Sequence, residues 1–163
     1  MQFYPFIFSL HIVFAGMWLV NLLVEFYFKK SINASVGKSS ESSLVSLYLK
    51  FVNIVGIIGA AGILVTGILM VVLNPGYQFF QFTANHWLTT KQIVMVVILI
   101  LLFWKLIPTA KKLRLEIAKD LSSPVDDKTE LRNNLKKLYS LNFQMNILVV
   151  INFLMAITRI FYS

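Results

Sequence analysis

PFIFSLHIVFAGMWLVNLLVEFYF, residues 5–28, is long enough to cross a bilayer, yet it carries His11, Asn21 and Glu25. A crossing helix needs about 20 mainly apolar residues. At about 100° per residue, His11, Trp18, Asn21 and Glu25 fall within a stripe roughly 80° wide. Polar groups inside hydrocarbon are costly, so such a stripe must face protein, a cofactor or water. The stretch therefore predicts a membrane span with a polar site along one side.

The remaining sequence fits a bundle of such spans. Of its 163 residues, 58% are hydrophobic and 13% charged, with a mean hydropathy of +0.75; a soluble domain carries about 25% charged residues. Three further apolar runs follow, at 47–73, 87–107 and 138–162. Only helices satisfy their own backbone in lipid without closing into a barrel. The fold class expected is all-α: an integral membrane four-helix bundle, one domain over 1–163, with the lipid bilayer as its first partner. The first run is longer than a leader's apolar region and no small-residue cleavage site follows, so no cleavable leader is expected. Cysteine is absent, which removes disulfides, thiolate ligands and thiol catalysis.

The net charge of +8 raises nucleic-acid binding as a function. No recognition module accompanies it. The basic residues sit beside apolar runs, where Lys and Arg set topology and meet anionic lipid, so no nucleic acid is expected as a partner. Residues 29–43, KKSINASVGKSSESS, read as a polar loop. Asn74-Pro75-Gly76 stops the second helix, and the YQFFQFTANH stretch after it lacks formal charge and suits the interface. Residues 109–137 hold eight Lys or Arg. There Leu113, Ile117 and Leu121 recur at helical spacing, which predicts that the third helix continues past Pro108 and breaks at Ser122-Ser123-Pro124. Another helix is expected to start near Asp126-Asp127, where acidic residues suit an N-terminus, and to run into the fourth span. The bundle thus gains a cytoplasmic helical extension between spans three and four. The positive-inside rule puts both basic loops in the cytoplasm and both termini outside, in the inner membrane of a bacterium.

The first and third spans run in the same direction and match their polar groups at two depths. His11 and Lys91 sit near the outer side; Glu25 and Lys105 follow fourteen residues later, about 21 Å deeper. Glu25 and Lys105 are read as an ion pair near the inner interface or as two snorkelling side chains. Gly56, Gly59, Gly62 and Gly67 line the second run. Small residues there allow close helix packing and, as a second use, leave room for a flat cofactor. His11, with Trp18 nearby, suits haem iron, a proton path, another metal, or a plain interhelical hydrogen bond. His86 lies at the lip of the third span on the same side, about 140° round the helix from Lys91. Arg159 lies near the outer end of the fourth span, where it is a propionate contact or an interface anchor. Asn142, Asn146 and Asn152 add interhelical hydrogen-bonding groups.

These residues carry a resemblance. SLHIVFAGMWLVNLL is similar to the LHI-x5-W opening of the HemJ-type protoporphyrinogen oxidases and their CopD-like four-helix relatives. HWLTTKQIVMVV is similar to the W-L-x-x-K motif of that group, and LNFQMNILVVINFLMAITRIF is loosely similar to its closing helix. The family's important His and Lys map onto His11 and Lys91. The chain departs from the pattern after Trp18: LVNLLVEFYFKK has neither the Pro nor the Arg of the family, so it resembles a divergent relative. The resemblance implies b-type haem and oxidoreductase chemistry, either electron transfer or porphyrinogen oxidation. It implies Lys91 as a catalytic residue and His11 as an iron ligand. Depth and residue type add His86, or Lys91 in its place, as the second partner of the iron, and Trp18 and Arg159 as cofactor contacts. Porphyrin or quinone would be the small-molecule partner. Two alternatives stand beside it: a cofactor-free structural subunit, in a membrane complex or a homo-oligomer, and CopD-like metal-ion handling.

Overall fold

The computed structural model describes residues 3–83, 86–122 and 127–158. Helix α1 spans Tyr4–Ala34, α2 Glu41–Leu73, α3 His86–Leu101, α4 Ile107–Ser122 and α5 Thr129–Thr158. A π-helical turn, Leu102–Leu106, joins α3 to α4 without a break. Among the described residues, four helices are therefore long and apolar enough to cross a membrane, the third being His86–Ser122. The all-α four-helix expectation holds.

The helices are longer than the apolar runs. At 31, 33 and 30 residues, α1, α2 and α5 reach roughly 45–50 Å, against about 30 Å of hydrocarbon. The loop expected at 29–43 shrinks to 35–40, because residues 29–34 continue α1 and Glu41 already opens α2. Exposed polar side chains there keep their water while the backbone keeps its helical bonds. Pro108 likewise does not end the third helix. Proline lacks an N–H and clashes with the carbonyl four residues back, and the widened turn directly before it absorbs that misfit. α4 ends at Ser122, where the break was expected, and residues 123–126 lie outside the described residues. α5 begins at Thr129, with the Asp127 carboxylate accepting its backbone N–H at 2.9 Å.

The overshooting ends build the larger of two cores. Ile32, Val45, Tyr48, Leu113, Ile117, Leu131, Leu135 and Leu138 bury one another at and beyond the inner ends of the apolar spans. Leu121, which shares their spacing, stays exposed. Polar clamps close this end. Arg132 donates to both carboxylate oxygens of Glu41 at 2.9 Å, and Gly37 N–H donates to the same group at 2.9 Å. Asp120 accepts from Ser42 and from Lys128, the latter at 2.8 Å. The membrane half holds a smaller core around Trp18, Ala60, Ile98 and Met145, and its remaining apolar surface faces outward, as lipid contact requires.

Within the membrane, α1 and α2 pack by setting large side chains against glycines. A Cβ on Gly67 would meet the His11 ring at 3.5 Å. On Gly62 it would meet the Phe14 ring at 2.3 Å, on Gly59 Trp18 at 3.7 Å, and on Gly56 Asn21 at 4.0 Å. The glycine face is occupied by α1, so it packs helices and is not open room for a macrocycle.

Two outcomes follow for thermal unfolding in detergent. Gly62→Ala should destabilise by about 1–3 kcal/mol through overpacking, whereas Gly56→Ala should be nearly neutral; Phe14→Leu should restore part of the loss at Gly62. Equal responses at both glycines would show that Phe14 does not fill the Gly62 position. Arg132→Leu should lower the unfolding temperature, because it leaves the Glu41 carboxylate buried at 1% exposure without its partner; an unchanged unfolding temperature would show that the clamp does not hold this end.

Candidate functional site: a polar layer and a carboxylate between the helices

The stripe on α1 turns inward, but its members find different partners. Trp18 and Asn21 are buried; His11 and Glu25 are half-buried. His11 Nδ1 lies 2.8 Å from the Thr66 hydroxyl. That hydroxyl also reaches the carbonyls of Gly62 and Ile63 one turn back, and Ile63 is a backbone partner of the His11 ring as well. With the Thr66 hydrogen given to Gly62, Nδ1 would carry the ring proton and Nε2 would keep its lone pair. Helix α2 thus fixes the position of the imidazole.

Lys91 interacts electrostatically with His11, which puts α3 at the expected level beside α1. Its ammonium also lies 4.8 Å from the centre of the Trp87 ring, whose indole N–H donates to the Met155 carbonyl. α3 and α5 are thereby tied at the same end. In this layer Thr89 Oγ1 and Asn152 Oδ1 are buried without a protein hydrogen-bond partner. Thr89 is fully buried. Buried polar groups are normally satisfied, so each of these oxygens needs an explanation.

His86 is the first residue of α3 and its side chain is exposed. No hydrogen bond or ion pair among the described residues links it to His11. Arg159 lies outside the described residues. No three His, Cys, Asp or Glu side chains gather to hold a metal ion among the described residues. On the donor side His11 suits an axial ligand of haem: with the proton on Nδ1, a second group holds that N–H, as is usual for ligating imidazoles, and Nε2 offers the electron pair. The room expected for the macrocycle beside the glycines is filled by Phe14 and Trp18.

Deeper in the membrane, Glu25 anchors a second constellation. It forms no ion pair with Lys105, which is exposed on the π-helical turn. Its partners lie on α5 and α2 instead. Trp18 Nε1–H donates to Asn146 Oδ1 at 3.3 Å, and Asn146 Nδ2–H donates to Glu25 Oε2 at 3.1 Å. An indole can only donate, so the Asn146 amide has one workable orientation, with its NH2 toward the carboxylate. On the other side Asn142 Nδ2–H donates to the Tyr48 hydroxyl at 2.9 Å, and that hydroxyl interacts with Glu25. The donors are ordered toward the carboxylate. Lys29, one turn further along α1, stands 5.4 Å from the Tyr139 ring centre, and Tyr139 packs on Tyr48 at 5.5 Å.

The Asn residues were legible as hydrogen-bonding groups, but their convergence on Glu25 was not. Tyr48 sits at the very start of the apolar run of α2 and carries no sequence signal for this role. A double-mutant cycle tests the geometry. Glu25→Gln and Asn146→Leu should couple by about 0.5–3 kcal/mol in unfolding free energy, as residues sharing one network do. Glu25→Gln and Lys105→Gln should instead be additive, and the opposite pattern would return Lys105 to the network. Compared with known protein families, characterised proteins and solved structures, the chain matches none.

Proposed function

We propose that this chain is a multi-pass membrane protein that binds b-type haem through His11 and works in electron transfer or porphyrinogen oxidation. One observation carries the proposal: His11 Nδ1 lies 2.8 Å from the Thr66 hydroxyl, and the tautomer with its proton on Nδ1 leaves Nε2 as an electron-pair donor inside the membrane. The unsatisfied Thr89 and Asn152 oxygens at the same level support a polar ligand there. The interaction of Lys91 with His11 supports its role as the working cation of the layer. Bound haem would supply one-electron redox chemistry. The chain's own part is to fix the imidazole through Thr66, to place a positive charge beside it, and to exclude water with the apolar helices. His86 or Lys91 would be the second residue to hold the haem, with Arg159 as a propionate contact. Porphyrin or quinone is the matching small-molecule partner. The proposal places the protein in the inner membrane of a bacterium, with both termini outside the cytoplasm.

A second function, that of a cofactor-free structural subunit, is favoured by a different observation: the glycines of α2 are fully used in packing against α1. The visible spectrum of protein purified from intact membranes separates the two. Haem binding predicts a Soret band that His11→Ala abolishes. Thr66→Val should weaken haem retention roughly 10- to 100-fold, the usual cost of losing the group that orients a ligand. His86→Ala or Lys91→Ala should alter the spin state, according to which one is that second residue. A protein that stays colourless after added haem is the structural subunit. For topology, tags at either terminus should be labelled from outside the cell and a tag at 123–126 only from within. A C-terminus labelled only from within would invert the arrangement.

A further inference from the structure

A cleft of about 230 Å³ lies between α2 and α4, away from both polar constellations. Ser46, Lys50 and Asn53 enter it from α2 and Arg114 from α4. The three α2 residues are spaced four and three apart, so they share one side of that helix. Leu49, Ile54 and Ile117 provide the cleft's apolar surface. No carboxylate lines it among the described residues. The neighbouring cations Lys112, Lys128 and Arg132 all pair with acids, whereas neither Lys50 nor Arg114 enters an ion pair among the described residues. Lys50 stands at the start of the apolar part of α2, at the depth of lipid headgroups.

We infer that Ser46, Lys50, Asn53 and Arg114 form a site for the phosphodiester headgroup of an anionic phospholipid. The two cations match the charge, and Arg114 offers the planar fork that suits phosphate oxygens. Ser46 and Asn53 supply neutral hydrogen-bond donors to the same group. Ile54, one turn further into the span than Lys50 and exposed, gives the first part of the acyl chain an apolar wall, a feature that a free phosphate does not need. Basic pockets between spanning helices at the interface bind lipid headgroups by this combination.

Native mass spectrometry of the full chain in detergent tests the site, with titration of phosphatidylglycerol against phosphatidylcholine. The wild type should retain phosphatidylglycerol preferentially. Lys50→Gln with Arg114→Gln should lower that preference roughly 10- to 30-fold, from the loss of two charges near the surface. Lys136→Gln with Lys137→Gln removes the same charge from exposed positions outside the cleft and should leave it unchanged. Equal losses in the two double variants, or no preference in the wild type, would overturn the inference. So would inorganic phosphate raising the unfolding temperature through Lys50 and Arg114 while phosphatidylglycerol shows no preference, since the site would then serve a soluble anion. If the cleft variant fails to fold, Asn53→Leu at an exposed position takes its place, and an unchanged lipid preference in it counts against the site.

Discussion

The close approach of α1 to α2 is the contact on which the rest of the membrane half depends. His11, Phe14, Trp18 and Asn21 each lie against a glycine of the neighbouring helix, and Gly62 leaves no space even for a methyl group. In lipid there is no hydrophobic drive to bring two apolar helices together, so close van der Waals contact has to do it. The same packing directs the polar stripe of α1. With Phe14 and Trp18 seated, His11 meets Thr66 and the Ile63 backbone of α2, and Glu25 lies where α5 and Tyr48 can meet it. Packing and polar placement are one event on these two helices.

Low dielectric explains the order of the groups around Glu25. An unpaired polar atom costs more there than in water, so each donor and acceptor must be matched in direction as well as position. Trp18, able only to donate, sets the Asn146 amide, and Asn146 then donates to Glu25. Asn142 occupies a lone pair of the Tyr48 hydroxyl, which leaves the phenolic hydrogen for the carboxylate. Three helices contribute, so the network also holds α1, α2 and α5 in register. Neither layer is complete. His11 and Thr66 meet in the outer one, while Thr89 and Asn152 keep buried oxygens without protein partners, and beside the inner network Tyr139 and Asn21 do the same.

Beyond the membrane the chain changes its means of holding together. There water is present, and α1, α2, α4 and α5 bury aliphatic and aromatic side chains in the manner of a soluble bundle. Glu41 and Asp120, each nearly or wholly removed from water, are neutralised by Arg132 and Lys128 from the other side of the α4–α5 connection. Hydrophobic burial and paired charges therefore fix the helix ends, and these in turn limit how the spans can splay.

The sequence by itself determined the class of molecule. Four apolar runs of spanning length, few charges and no cysteine admit little besides a helical membrane bundle, and the leucine spacing after Pro108 showed the helix running on. His11, Trp18, Asn21 and Glu25 were legible as one stripe, because helical periodicity fixes which residues of a single helix share a side. Contacts between helices were not legible. Depth matching put Lys105 opposite Glu25, but depth says nothing of rotation, and the exposed π-helical turn carries Lys105 away while α5 brings Asn146 in. The glycines read equally as packing or as room for a cofactor until Phe14 was found against Gly62. The tautomer of His11 and the orientation of Asn146 rest on partners from other helices, 55 and 128 residues away in the chain for His11–Thr66 and Trp18–Asn146. Those are tertiary facts, since a hydrogen bond's direction is set by the pair and not by either residue alone.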